Sequence, residues 1–330
     1  MSDDQTTAQE ALRCRLSILA HMDNEENGRR MSLELMAIPF YTKENVEVAE
    51  IIRRQLMATL KDAETFAVTD EVSELLDGAA GIYPDPNMQL SDILTPNGLA
   101  VFSRPLGDPV ASGEDGALSM RALSWSLRPA SDPTMRILAP NASGDLVTAI
   151  GYADTRSIPN FPQDLLHLYP RIYPVVSAIW QVGDRSGGKL WDGRNQDAAE
   201  LGRSPYIKVL MAFWAIMRQR LTEDRAAYVR SGSKDLKRSL GRAERRHPDI
   251  KTGVHIIRMQ PSKRSEYIGS GSGRAAPGFR FPVRTHWRDQ PYGKGKAQRR
   301  QILIASYIKG DPDLPLEHKD RVFLPPLPRG

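Results

Sequence analysis

Cysteine is nearly missing from this chain: of 330 residues only Cys14 is one. That excludes an internal disulfide framework and every structural zinc site built on cysteines, and it leaves Cys14 as a small buried apolar residue of the first helix. Long apolar runs are missing as well. The longest, Val209 to Met217 (VLMAFWAIM), is about half of the ~20 residues that a membrane-spanning helix needs. The opening residues, Met1-Ser-Asp-Asp-Gln-Thr-Thr, lack the basic start and apolar core of a secretory signal. A soluble, cytoplasmic protein with no membrane partner is therefore expected. No His-x-x-x-His pair and no compact carboxylate cluster stands in the sequence, so neither a metal nor a cofactor is expected. Gly183-Asp-Arg-Ser-Gly-Gly-Lys189 has the spacing of a phosphate-binding loop, but Leu190 stands where a Ser or Thr must ligate magnesium. It reads as a glycine turn.

What the chain does have is charge of opposite sign in its two parts. Residues 1–200 carry 17 Lys+Arg against 29 Asp+Glu, a balance of −12, whereas residues 201–330 carry 28 against 11, a balance of +17. A basic segment of this size points to a polyanionic partner, most often nucleic acid, because each neutralised phosphate releases counterions. With 40% hydrophobic residues the chain can bury a sizeable core, and its length allows about two domains.

Periodicity predicts helices over 8–22, 44–64 and 70–78. In the second, Val48, Ile52, Leu56 and Leu60 recur at four-residue spacing while Glu50, Arg53, Arg54 and Lys61 lie off that line. Shorter runs bounded by Pro, Gly, Asn or Asp predict strands at 98–103, 120–127, 145–152 and near 175–182. Ser204 and Pro205 then open a helix expected to run to about Arg230, apolar nearly all round between Tyr206 and Leu221 and hence a central core helix. The next helix, Lys234 to Arg246 (KDLKRSLGRAERR), shows almost no apolar face, so it lies on a polyanion or projects into solvent. Strands are expected at 254–259, 279–288, 301–309 and 321–324, with a flexible connector at 269–278. The fold class expected is α+β. Its parts are an acidic α+β region at 1–200 offering a protein-partner surface, the core and basic helices at 201–250, and a basic β module at 251–330 that binds nucleic acid.

The most distinctive segment is Phe279-Arg-Phe-Pro-Val-Arg-Thr-His-Trp-Arg. Alternation puts Phe279, Phe281, Val283, Thr285 and Trp287 on one face and Arg280, Arg284, His286 and Arg288 on the other. Three guanidiniums around one imidazole suit phosphate oxygens. Lys294, Lys296, Arg299 and Arg300 extend the basic patch, and Tyr292 and Tyr307 offer rings for stacking on bases. Pro282 cannot donate to a ladder, which predicts an edge or a bulge there. His286 has three readings: a catalytic acid/base of a metal-independent ribonuclease, a phosphate or base contact, or a histidine bonded within the fold. His255, on another predicted strand, is a possible partner for it or a half-buried strand residue.

Val283-Arg-Thr-His-Trp-Arg, followed by Gly293, the basic turn Arg299-Arg300 and a strand ending in Lys309, resembles the phage- and plasmid-borne family around the type V-A anti-CRISPR protein that lowers the mRNA of the Cas12 effector. The order of a helical N-terminal region, a mid-chain β segment and an apolar helix followed by a basic segment is similar too. Arg288 and Asp289 stand where aromatic or histidine residues often follow in that family, and Lys309-Gly replaces part of its closing Lys-Trp-Leu-Pro-Pro. The residues carried over are Arg284, His286 and Trp287. The resemblance implies an RNA-binding regulatory or counter-defence protein of a mobile genetic element, acting on mRNA or translation, with RNA preferred to DNA. It also implies a protein partner for the acidic half, ribosome-associated or a nascent chain. The alternatives are the ribonuclease centred on His286 and a DNA-binding regulator, though the basic helix lacks the short polar readers of a recognition helix.

Overall fold

The computed structural model describes residues 3–35, 43–83, 88–106, 120–158, 163–183, 205–219, 222–227, 232–260, 280–283, 285–304, 307–309 and 314–315. The chain forms two compact units, Met1–Gln260 and Pro261–Gly330. In chain order the first contains α1 (Asp3–Asp23), α2 (Glu25–Leu35), α3 (Lys43–Asp62), β1 (Glu64–Val68), α4 (Asp70–Gly81), β2 (Asn97–Leu106), β3 (Met120–Pro129), α5 (Pro133–Leu138), β4 (Asp145–Asp154) and β5 (Ile172–Gln181). It continues with α6 (Pro205–Met217), β6 (Thr222–Ala227), α7 (Lys234–Arg246) and β7 (Val254–Met259). The fold class is α+β, as expected. The boundaries expected at 200 and 250 are not where the chain divides. β7 pairs in parallel with β1 in the middle of the first unit's sheet, so a run that the sequence groups with the basic module is core scaffold.

Seven strands form one sheet in the order β5-β4-β3-β2-β1-β7-β6. The meander from β2 to β5 is antiparallel, the trio β2-β1-β7 is parallel, and β6 closes the far edge antiparallel to β7. β1 falls between the helices expected at 44–64 and 70–78, where no strand is expected. Four of its five residues are buried, and a strand covered on both faces loses the alternation by which a strand is recognised. The expected helix to Arg230 instead stops at Met217. Thr222-Glu-Asp-Arg-Ala-Ala, rich in good helix formers, is an edge strand because pairing with β7 overrides local propensity.

Alternation on the sheet builds two cores. Ala67, Leu99, Val101, Ala122, Leu146, Ile150, Val254 and Ile256 meet α1, α2 and α3 in one cluster. Phe66 and Trp125 belong to the opposite face, where their rings stack 5.9 Å apart and meet Phe213 and Trp214 of the nearly all-buried α6. Gly98 faces Trp125 across the β2–β3 ladder. A Cβ on it would sit 2.1 Å from Trp125 Cζ2, so only glycine admits the indole there.

Arg15 is fully buried in the middle of α1. Its Nε donates to the Leu60 carbonyl at 2.7 Å, Nη2 to the Lys61 carbonyl at 2.7 Å and Nη1 to Thr65 Oγ1 at 2.9 Å. It thereby takes up carbonyls that the end of α3 leaves without helical partners and ties that end to β1. Burial lowers its pKa to about 10, with nearby Asp62 opposing the shift. Cys14, its neighbour, is buried and its thiol is pushed up to about 12 by that burial and by Glu10, which keeps it protonated and unreactive at neutral pH.

Candidate nucleic-acid interface

In the second unit the chain between Pro261 and Gly330 includes β8 (Phe281–Val283), β9 (His286–Tyr292), β10 (Gln298–Ile304) and β11 (Tyr307–Lys309). The single strands expected at 279–288 and 301–309 are thus each split in two. β9 pairs antiparallel with β10 and β8 with β11. Ile304 pairs with His286 and Tyr307 with Val283, so both ladders keep one register. Pro282 lies in β8 opposite Ile308, in a ladder of two strands where a missing donor is tolerated.

The turn between β9 and β10 is tight. Gly293 (φ 76), Gly295 (φ 65) and Lys296 (φ 58) all take left-handed conformations, and the Lys296 N–H donates to the Gly293 carbonyl at 3.1 Å. Glycine takes this conformation freely, whereas for a lysine it is uncommon. Lys294 and Lys296 stand exposed at the tip.

Register decides which side chains share a face, since residues opposite each other in a ladder point the same way. His286, Arg288, Gln290 and Tyr292 of β9 lie opposite Ile304, Ile302, Arg300 and Gln298 of β10. On this face His286, Arg288 and Arg300 are exposed, and the Arg300 guanidinium lies over the Tyr292 ring, 5.1 Å from its centroid. The other face carries Trp287, Asp289 and Pro291 opposite Leu303, Gln301 and Arg299. Leu303 is buried and Trp287 half-buried, so at the open end of the hairpin that face is the one covered from solvent. Arg299 and Arg300, adjacent in sequence, are separated to opposite faces.

The remaining expected residues fall elsewhere. Arg280 precedes β8; its Nε donates to the Leu314 carbonyl at 2.7 Å and its N–H to the Pro315 carbonyl at 2.8 Å. Arg284, the 269–278 connector, the expected strand at 321–324 and the side chain of Tyr307 lie outside the described residues. So do Ser204 and most of the glycine turn at 183–189. His255 is in the first unit, where its Nδ1 is 2.9 and 3.1 Å from the two Asp224 carboxylate oxygens and its ring lies 5.5 Å from that of Phe66. Among the described residues no three His, Cys, Asp or Glu side chains gather into a metal-ligand set, and no helix is long and apolar enough to cross a membrane.

Chemically, the hairpin's open face combines two guanidiniums, an imidazole and a ring already in contact with a cation, with two ammonium groups at the tip. Guanidiniums take phosphate oxygens in bidentate fashion, and a tyrosine held by a cation–π contact offers its other surface to a base. No family model, curated protein or solved structure matches this chain.

Proposed function

We propose that this protein is an RNA-binding regulator of a mobile genetic element that acts on mRNA or translation. The observation that carries the reading is that register brings His286, Arg288, Tyr292 and Arg300 to one face of a hairpin tipped by Lys294 and Lys296. Cations that track a backbone, interleaved with a stacking ring, are the chemistry of single-stranded nucleic acid binding. RNA is preferred because its unpaired loops present bases for stacking, and no described helix combines short polar readers with an exposed face suited to the major groove. The mobile-element setting comes from the resemblance at Val283 to Arg288. The excess of acidic residues in 1–200 supports a protein partner for the first unit.

The test uses the full chain and labelled RNA in EDTA. Replacing Arg288, Lys294, Lys296 and Arg300 together by Gln is expected to weaken binding to all RNA sequences and to flatten the salt dependence by about 3 in log K against log salt, at about 0.7 per phosphate contact. An unchanged slope refutes the hairpin as the contact. The wild type is expected to leave the RNA intact. Cleavage that disappears in His286→Ala, slowed about 10²–10⁴-fold with affinity kept, replaces this reading with the ribonuclease.

A further inference from the structure

The basic helix α7, expected to show almost no apolar face, does not project freely into solvent. Ser233 caps it, its hydroxyl accepting from the Leu236 N–H at 3.3 Å, and Leu236, Leu240 and Ala243 are buried. These three, at spacings of four and three, form one stripe. With Leu16, Leu19 and Ala20 of α1, Leu236 and Ala243 line a groove of about 310 Å³ between the two helices, with Arg242 at its rim. The expected helix is correct in extent, but three small or branched residues among thirteen suffice to seat it.

Charge on the two sides of α7 is treated differently. Toward the groove three arginines have acidic partners: Arg13 and Arg171 share Glu10 at 3.8 and 2.6 Å, and Arg246 shares Asp23 with His247 at 3.0 and 2.8 Å. Lys234, Lys237, Arg238 and Arg245 on the outward side, and Arg242 between that side and the groove rim, are all exposed. None of these five side chains has a hydrogen bond or ion pair among the described residues. Lys234, Arg238 and Arg242 follow at four-residue steps and Arg245 three further on, so like charges are stacked on one face, an arrangement that weakens a helix. Lys234 at the N-terminal end also opposes the helix dipole.

Gly241 is the second, independent observation. It lies on this outward face between Arg238 and Arg245. A Cβ there would meet only Arg245 Nη1, at an ordinary 3.5 Å. Packing does not call for glycine, and glycine is among the poorest residues in a helix interior. What it provides is a place where a ligand can approach the helix backbone closely, flanked by cations.

We propose that the outward face of α7 is a second RNA-backbone contact, independent of base sequence. Lys234, Lys237, Arg238, Arg242 and Arg245 would neutralise phosphates over about 16 Å of helix, with one phosphate lying against Gly241. The proposal rests on the reading of RNA as the ligand, but on different residues in a different unit. It makes the first unit a participant in RNA binding.

The experiment compares four full-length proteins: wild type, the hairpin variant above, an α7 variant (Lys234→Gln, Arg238→Gln, Arg242→Gln, Arg245→Gln) and their combination. The probe is a labelled single-stranded RNA of roughly 30 nucleotides, long enough for more than one site of the usual size. The α7 variant is expected to bind tenfold or more weakly, with a salt slope shallower by about 3, an unchanged far-UV spectrum, and a further loss in the combination. Gly241→Leu is expected to weaken RNA binding severalfold while raising thermal stability. An α7 variant with the wild-type slope overturns the proposal whatever the hairpin variant does. A hairpin variant that binds normally beside a weakened α7 variant overturns the hairpin reading and leaves this one standing. If polyglutamate displaces the RNA from wild type at equal charge concentration, the face takes acidic protein instead, and the proposal fails.

Discussion

Arg15 offers the sharpest test of how the first unit holds together. Substitution by Ala removes three hydrogen bonds of 2.7–2.9 Å, but not all three acceptors are then abandoned. The Lys61 carbonyl keeps the Lys251 N–H at 3.0 Å, whereas the Leu60 carbonyl and the Thr65 hydroxyl lose the guanidinium in a buried setting. Two orphaned acceptors cost about 1–3 kcal/mol each. Against this, removing the charge relieves the desolvation that lowers its pKa from 12.5 to about 10, worth on the order of 3 kcal/mol. Arg15→Met, which fills the volume, is therefore expected to cost only about 1–2 kcal/mol, and Arg15→Ala about 4 because a cavity is added. Pairing Arg15→Met with Thr65→Val removes donor and acceptor together, and the double variant should regain about 1 kcal/mol relative to the sum of the singles. The assay is urea unfolding followed by tryptophan fluorescence, since Trp125, Trp180 and Trp214 are all buried in this unit. An Arg15→Ala protein within about 1 kcal/mol of wild type, or strict additivity in the cycle, refutes the argument.

Two more expectations concern the same unit. Glu50 accepts from Arg53 at 2.7 Å through both of its oxygens and from Arg54 at 2.7 Å, and the Arg53 hydrogen bonds chiefly hold its pKa down at about 2 against an ordinary 4.5. A carboxylate depressed on folding adds stability above pH 4.5 that is lost as pH falls toward 2; Glu50→Gln should lower the urea midpoint at pH 7 and narrow its difference from wild type at pH 2.5, and a constant difference would contradict the ion pair. Trp214 is fully buried against Trp125, ring centroids 5.6 Å apart, and its indole N–H has no partner among the described residues; Trp214→Ala should cost about 3–5 kcal/mol and Trp214→Phe much less, whereas equal losses would mean that the N–H is bonded.

Where a segment's own pattern carried its environment, the sequence alone was enough. The strands at 98–103, 120–127 and 145–152 lie within β2, β3 and β4, because each is an apolar run of strand length that ends at turn residues. α7 was legible to the residue from its run of charge, and the α+β class followed from mixed periodicities. What the sequence could not show depended on partners far along the chain. β1, buried at four of its five positions, carries no alternation to read; β7 was legible as a strand, but its central place comes from pairing with β1, and β6 is a strand only because β7 offers it an edge. The burial of Arg15 is set by the end of α3, whose carbonyls it takes up, and nothing in its own helix marks it. The basic character of the C-terminal module is written in composition, but which of its cations share a face is set by hairpin register. One ladder places Arg300 beside Tyr292 and turns Arg299 away, a choice that pairing geometry makes and no local preference encodes.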